Sequence, residues 1–512
     1  MRVPEVRGRG DACALTEKRQ SEGLKIEAGA APVSSRKLAF GAAASGTVSL
    51  IKVGLQLLLL PVMARLLGPE EFGIYALALP TVSFVALLAD GGLGATLARE
   101  PETSSLVWSS AFWFLVFTGF TLALGASVFG FFLAELVHQP RVSAMIALLS
   151  LSVVFLVLSV PAGARLMRRR NLGVGAAAEL TANLIGAAIA VVLAIQGAGA
   201  WSLVAQYLSI YAIRAVVLNI SAFEMPGFEF SMRAIRPHMA SGGLLIGTRL
   251  CEYLGRVGEN VLIDRMFGTA LLGSFTFANQ ISRFAAETVG NVSWATLYVQ
   301  ALTSDRTSVV DIHRRLCRML AAILFPTTLL AAAAAPELID WLLGPKWIDL
   351  SLMLRVFLPM SALSIIAVQV GPVLLAIDRF EIHFWCSVGL GVGRLLVVAA
   401  GPWIGLAGVI YGLAGVSLLH FGALLIFAEP PTGCRIVPML RGLVGPAISS
   451  LTAAGGCLLA LRLSLPSLGS TLMSLTIGLA IFAACMLLVD RKGLVDDWKI
   501  MRQIMSGHKP AA

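Results

Sequence analysis

Long apolar stretches, each close to 20 residues and separated by charged or Pro/Gly-containing segments, recur along almost the whole chain. A helix needs about 20 mostly apolar residues to cross the hydrocarbon core of a bilayer. The pattern therefore predicts an all-α polytopic membrane protein with about 14 transmembrane helices. These are 40–64, 72–97, 108–134, 142–164, 174–196, 200–222, 240–263, 270–297, 316–335, 353–376, 382–400, 404–427, 442–463 and 470–489.

Composition supports this class and argues against enzymes. Of the 512 residues, 57% are hydrophobic and only 13% are charged, whereas soluble domains are about 25% charged. The seven cysteines and six histidines are dispersed, and there is no P-loop, GxSxG or HExxH motif. We predict no catalytic residues, no metal, no cofactor and no nucleic-acid partner, because the net charge of +10 comes from arginine-rich loops.

Loop charge predicts the orientation. With a cytoplasmic N-terminus, the inner loops carry fourteen basic residues and the outer loops five, which follows the positive-inside rule. Both termini are then predicted to be cytoplasmic. Residues 1–37 are polar and mixed in charge, without the apolar core of a signal peptide. They are predicted to be a disordered cytoplasmic tail, and 491–512 a second tail.

A motif repeats 200 residues apart. Residues 65–78 and 265–278 share an arginine, two glycines five residues apart and a closing alanine. Glycines at this spacing fit a tight turn followed by a closely packed helix start. With six helices between the copies, the repeat predicts two parallel lobes. These are 38–223 (helices 1–6) and 224–428 (helices 7–12), followed by two additional helices in 429–490.

Polar side chains form stripes on several predicted spanning helices. A charge at the centre of such a helix costs about 2.5–3.5 kcal/mol on insertion scales, so these residues should face a cavity or each other. Asp90 ends helix 2. The stripes are Ser45, Ser49, Lys52 and Gln56 on helix 1, Arg249, Glu252, Arg256 and Glu259 on helix 7, and Gln280, Arg283, Glu287 and Asn291 on helix 8.

Two interpretations of these charges stay open. Arg249/Glu252, Arg256/Glu259 and Arg283/Glu287 have the spacing of pairs along their own helices, which would be purely structural. Alternatively, the repeat superposes the stripe of helix 1 on that of helix 7, so the two would face each other across a central cavity. In that arrangement Lys52 faces Glu252.

Two segments carry a family resemblance. Residues 59–76, LLPVMARLLGPEEFGIYA, with LADGGLG at 88–94, resemble the first helix pair of bacterial polysaccharide-export flippases. These are the Wzx-like proteins of the multidrug/oligosaccharidyl-lipid/polysaccharide exporter superfamily. LLGPKW at 342–347 resembles the turn before their tenth helix. The resemblance covers most of 38–490, although the last four helices carry no recognisable motif.

The resemblance implies a V-shaped pair of helix bundles in the bacterial cytoplasmic membrane. It implies ion-coupled flipping of undecaprenyl-pyrophosphate-linked oligosaccharide between leaflets, for O-antigen or exopolysaccharide export. Membrane lipids, a polysaccharide polymerase and chain-length proteins are the implied partners. The residues implied for the head group are Lys52, Gln56, Arg249, Arg256, Gln280 and Arg283, and those for ion coupling or charge balance are Asp90, Glu252, Glu259 and Glu287.

Three other functions compete with this interpretation. A multidrug or metabolite:cation antiporter of the related branch would need a cavity dominated by carboxylates and twelve helices. A membrane-embedded polymerase or ligase would need a long external loop with catalytic side chains, and no predicted outer loop exceeds about 20 residues. A lipid II flippase is the third alternative.

Overall fold

The computed structural model describes residues 35–90, 93, 97, 104–169, 172–222, 224–239, 243–303, 305–377, 379, 381–463 and 467–490. The regular secondary structure of these residues is helical, with no β-strand among them, and segments such as 224–231 are irregular. The first part of the chain forms α1 (Ser35–Asp90), α2 (Ser105–Leu136), α3 (Pro140–Arg168), α4 (Leu172–Ile195), α5 (Trp201–Ala222) and the short α6 (Met232–Met239).

The second part of the chain continues the helical pattern. It comprises α7 (Gly243–Phe267), α8 (Thr269–Thr303), α9 (Arg306–Ala333), α10 (Ala335–Leu342), a 3-10 turn (Pro345–Trp347), α11 (Ile348–Val368), α12 (Gly371–Ala376), α13 (Glu381–Ala399), α14 (Gly401–Thr432), α15 (Ile436–Leu463) and α16 (Leu468–Val489).

Hydropathy confirms the predicted class of protein. Among the described residues, eleven helices are long and apolar enough to cross a membrane. One of the eleven, residues 54–89, runs through a turn in α1 and so covers two predicted spans. The helices α7 and α8 are not among the eleven, and both carry the polar stripes noted in the sequence.

Tight glycine turns appear where the repeat predicts them. Gly68 (φ 79°) divides α1 into α1a (35–67) and α1b (69–90), and Gly268 (φ 88°) separates α7 from α8. A left-handed backbone at these points is easy for glycine and strained for residues with a Cβ. Both predicted turns are therefore confirmed. Gly344 (φ 83°), in the second motif segment, makes a third turn of this kind.

The helices pack as two groups. In the first bundle, α1 packs on α3 and α4, α2 on α3, and α4 on α5. In the second, α7 packs on α13, α8 and α9 on α11, and α13 on α14. The two bundles meet where α1 contacts α7 and α8, and α15 packs against α9 and α16. In repeat order, α1a and α7 come first, and α4 and α13 come fifth.

The helix bundles have two ends, a turn end and a linker end. The turn end holds the Gly68 and Gly268 turns and the loops that follow α2, α4 and α13. The linker end holds residues 224–231, which join the two bundles. At the linker end, Arg165 and Arg169 both pair with Glu224 of the linker, at 3.4 and 2.8 Å. The Trp113 indole nitrogen also donates to the Gly227 carbonyl, at 2.9 Å.

Candidate functional site: the interface between the two bundles

At the turn end the two bundles touch through backbone atoms at two equivalent points. A methyl group added at Gly73 of α1b would overlap the carbonyl oxygen of Thr269 in α8. One added at Gly273 of α8 would overlap the carbonyl oxygen of Pro69 in α1b. The second contact is the equivalent of the first in the repeat, because Gly273 lies 200 positions after Gly73 and Pro69 lies 200 positions before Thr269. This reciprocity relates the bundles by a local two-fold axis, and small residues permit the close approach.

An aromatic cluster seals the interface beside these glycines. Trp347 is 1% exposed, and its indole nitrogen donates to the Ala64 carbonyl at 3.2 Å. Its ring centroid lies 5.8 Å from that of Phe72 in α1b and 4.8 Å from that of Phe277 in α8. Edge and tilted packing at these distances is favourable for aromatic rings. The two segments that carry the family resemblance therefore meet here, although they are far apart in sequence.

A carboxylate braces the same end within the first bundle. Glu71 accepts two hydrogen bonds from the Arg141 guanidinium, at 2.9 and 3.0 Å, and one from the backbone N–H of Ala200. The bidentate geometry is the strongest that a carboxylate and an arginine form. It ties α1b to the start of α3 and to the loop before α5. This contact supports the glycine crossing, which is the approach of Gly73 to Thr269 and of Gly273 to Pro69.

Further from the turn end, α1b and α7 remain in contact. The Asn260 side-chain amide donates to the Ala76 carbonyl at 2.9 Å, and both groups are buried. The rings of Phe84 and Tyr253 stack with centroids 4.1 Å apart. Counting 1.5 Å per residue, Phe84 lies about 24 Å along the helix from Gly68. The contact between α1b and α7 therefore extends over much of the membrane depth.

The interior face of α1a opens with distance from the turn end. Met63 is 2% exposed, whereas the side chain of Lys52 is 34% exposed and Gln56 is exposed. At 100° per residue these three side chains share one face of the helix, within about 40°. The face is closed near the glycine crossing and open about 24 Å from it.

Lys52 pairs across the first bundle, with Glu179 of α4. The pair joins the first and fifth helices of the first repeat, and 43% of the Glu179 side chain is exposed. Ionisable groups at membrane depth do not face lipid. Their exposed surface therefore belongs to an interior cleft.

The second bundle has an ion pair between its own first and fifth helices. Arg394 of α13 donates to both oxygens of Glu259 in α7, at 2.7 and 3.3 Å. Here the Glu259 side chain is only 8% exposed and the Arg394 side chain 25%. A bidentate, buried pair of this kind is a fixed contact between two helices.

The structure places the predicted site residues unevenly. Glu259 pairs with Arg394 of α13. The side chains of Gln56, Arg256, Gln280 and Arg283 are exposed. The side chains of Ser45, Ser49, Asp90, Arg249, Glu252, Glu287 and Asn291 lie outside the described residues. The prediction that Lys52 faces Glu252 therefore stays a prediction, and the described partner of Lys52 is Glu179.

Three charged residues were missed as site candidates from the sequence. Glu179 and Arg394 are lone charges within predicted spans, which is the signal that could have identified them. Asp264, near the end of α7, is 7% exposed, and its Oδ1 has no hydrogen-bond partner among the described residues. A charge count per helix cannot show such burial.

This architecture belongs to a known class of α-helical membrane proteins. The structure of the lipid II flippase MurJ in an inward closed conformation superposes with a TM-score of 0.71 at 11% identity. The match covers 88% of this chain and 99% of that one. The two therefore share a polytopic transporter fold.

Sequence similarity then gives the family. The chain belongs to the polysaccharide biosynthesis protein family, whose model matches residues 62–352. It is 29% identical to the succinoglycan biosynthesis transport protein ExoT of Rhizobium meliloti (strain 1021) over 46% of this chain, and spans about half of that relative, 48%. It is 22% identical to the lipopolysaccharide biosynthesis protein WzxC of Escherichia coli (strain K12), over 74% of this chain and 78% of that protein.

Proposed function

We propose that this protein moves a lipid-linked saccharide from one leaflet of the membrane to the other during assembly of a surface polysaccharide. The observation that carries the proposal is the Lys52–Glu179 pair, which is partly exposed inside a two-bundle membrane protein. Such a pair offers charged and hydrogen-bonding groups to a polar head group at membrane depth. The family, and the relatives named for succinoglycan transport and lipopolysaccharide biosynthesis, give the chemical class of the cargo.

The geometry supports transport by alternating access. The glycine crossing and the aromatic cluster close the turn end, while the cleft around Lys52 is open. A head group entering from the linker end reaches Lys52, and its apolar chain remains in the bilayer. Release at the other face then requires Gly73 and Gly273 to separate from Thr269 and Pro69 as the bundles rock about their common axis.

The same proposal assigns orientation, lobes and ion coupling. The linker end is cytoplasmic and the turn end faces outward, in agreement with the basic loops and with Arg165 and Arg169 at the linker. Helices in 38–223 and 224–428 are the moving lobes. Asp90, Glu252 and Glu287 remain candidates for carrying the coupling ion, and a polymerase and chain-length proteins are the expected partners.

Lipid analysis of a deletion strain tests the proposal. We expect an intact lipid-linked saccharide to accumulate in a form that an added external glycosidase cannot cleave, together with loss of surface polysaccharide. A strain carrying the gene on a plasmid is the control and should restore both. A normal lipid-linked pool with normal polysaccharide would overturn the proposal and favour a small-molecule exporter.

A further inference from the structure

We infer that the Lys52–Glu179 pair is an exchange site, in which Glu179 occupies the lysine until a phosphate group of the cargo displaces it. The inference rests on the proposed function, whose cargo is expected to carry a phosphate or diphosphate group, and adds the role of Glu179 as an internal competitor for that group. It is carried by the exposure of the pair, by the faces on which its two members lie, and by the contrast with the buried pair of the second bundle.

Glu179 points into the protein and yet remains open. The exposed residues Ala177, Thr181 and Leu184 define the outer face of α4, and at 100° per residue Glu179 lies roughly opposite them. Ala182 lies within about 60° of Glu179 on the helix and is 0% exposed. A side chain on this inner face that is 43% exposed must border a cleft.

Lys52 borders the same cleft from α1a. The exposed apolar residues Ile51, Leu58 and Val62 mark the outer face of this helix. Lys52 and Gln56 lie about 100° and 140° round from it. The ammonium group has three N–H donors, and its contact with Glu179 Oε1 uses one of them. Among the described residues no other acceptor is recorded for the remaining donors or for the neighbouring Gln56 amide, and these groups can contact an incoming oxyanion.

Replacement of Glu179 by a phosphate group at Lys52 is favourable because the contact with the carboxylate is weak and the contact with the phosphate is strong. A partly exposed lysine–carboxylate pair contributes little, since solvent screens it. A phosphate carries more charge and more acceptor oxygens than a carboxylate, and lysine binds it as a point charge. Glu179 also keeps the cleft neutral when it is empty, which lowers the cost of an unpaired charge at membrane depth.

The second bundle supplies an internal control. Glu259 is 8% exposed and holds Arg394 through two hydrogen bonds. An anion would have to displace a buried carboxylate that holds the half-buried Arg394 side chain through two hydrogen bonds. This pair therefore does not exchange, and neutralising Glu259 should not create an anion site.

Binding of farnesyl diphosphate to the purified full-length protein in a zwitterionic detergent tests the inference. Glu179→Gln removes the internal competitor, so we expect affinity to rise about fivefold, the upper range for a partly exposed pair. Lys52→Gln removes the ligand, so affinity should fall about tenfold or more, and the double variant should match Lys52→Gln. Glu259→Gln is the matched control, and it should not raise affinity.

An affinity gain on removing a glutamate is a result that a structural role would not give. If Glu179→Gln lowers affinity or leaves it unchanged while the protein melts as the wild type does, the exchange site is overturned. Glu179→Ala serves as the second variant should the glutamine protein fail to fold, and the same gain is expected. Lys52→Arg should retain binding.

Three further probes identify the source of the phosphate. Inorganic pyrophosphate isolates the head group, farnesol isolates the chain, and phosphatidylglycerol represents ordinary anionic lipid. We expect competition by pyrophosphate and by neither of the other two. Displacement by phosphatidylglycerol as effective as by farnesyl diphosphate would overturn the assignment to cargo. The deletion strain reports separately on flipping, so failure of either proposal is visible without the other.

Discussion

The two bundles solve the same packing problem with ion pairs of opposite character. Each joins its first and fifth helices through one charge pair, but the cation is on the first helix in one bundle and on the fifth in the other. In the first bundle the Lys52 and Glu179 side chains are 34% and 43% exposed. In the second bundle the carboxylate is 8% exposed. The comparison teaches that equivalent helix contacts can hold a bundle together or remain available to a ligand.

Depth separates the pairs as well. Lys52 precedes the Gly68 turn by sixteen residues and Glu259 precedes the Gly268 turn by nine. At 1.5 Å per residue these positions are about 24 and 13 Å from the turn end. The buried pair thus lies closer to the Gly68 and Gly268 turns than the exposed pair does.

Breaking the buried pair should have the largest effect on stability. Arg394→Ala leaves the Glu259 carboxylate buried without its partner, which typically destabilises a protein by about 3–5 kcal/mol. We expect a large drop in melting temperature in detergent. Lys52→Ala is the matched variant in the first bundle, and equal losses from the two would contradict the distinction between the pairs.

Replacing both members of the buried pair sharpens this test. Glu259→Leu with Arg394→Leu removes both charges, and well-packed apolar replacements of buried pairs are often neutral or stabilising. The double variant should therefore melt well above Arg394→Ala. A double variant as unstable as the single one would show that Arg394 matters for something other than neutralising Glu259.

Widening the glycine crossing should have the next largest effect. Gly73→Ala and Gly273→Ala each introduce a methyl group that overlaps backbone of the other bundle, and forced repacking of this kind costs about 1–3 kcal/mol. Because alternating access requires the two bundles to move against each other at this contact, surface polysaccharide export should also fall. Gly54→Ala is the control on α1, since an added methyl there meets nothing within 4 Å. Export as impaired by Gly54→Ala as by Gly73→Ala would contradict a role for the crossing.

Removing the brace at the turn end should have a smaller effect. Glu71→Gln weakens the contact with Arg141, whose side chain is 41% exposed. Solvent screening limits the loss to about 1 kcal/mol, visible as a modest fall in melting temperature. Arg141→Gln should produce a similar fall, and the double variant should add little because the two changes remove one interaction.

Neutralising the exposed pair should have the smallest effect on stability and a large one on function. Lys52→Gln removes a pair worth about 1 kcal/mol or less, so the protein should remain folded. Transport should nevertheless be lost, because the lysine is the proposed ligand of the head group. A melting temperature as low as that of Arg394→Ala would place both pairs in the same structural role.

Sequence reasoning predicted the fold better than the contacts within it. Apolar stretches and basic loops predict a polytopic helical protein because the bilayer sets helix length, and Gly68 and Gly268 predict the turns because only glycine accepts that backbone readily. Helical periodicity placed Lys52 and Gln56 on one face. It could not identify Glu179 as the partner, because periodicity gives the face of a residue and says nothing of which helix lies opposite.

The second bundle shows the same limit. The spacing of Arg256 and Glu259 suggested a pair along one helix, which isolated helices favour. Tertiary packing instead brings Arg394 of α13 to Glu259, with two hydrogen bonds and greater burial. A charged residue within a predicted span was the correct signal of an interior contact. Lone charges such as Arg394 carry this signal as well as stripes of several polar residues do.

The most direct test is the lipid-linked saccharide pool in cells whose only copy of the protein carries Lys52→Gln. The amount of folded protein in the membrane is measured in the same cells, with Gly54→Ala as the control variant. The proposed role of Lys52 predicts wild-type levels of folded protein together with saccharide that accumulates out of reach of an external glycosidase, as in the deletion strain. Normal export from folded Lys52→Gln protein would contradict it.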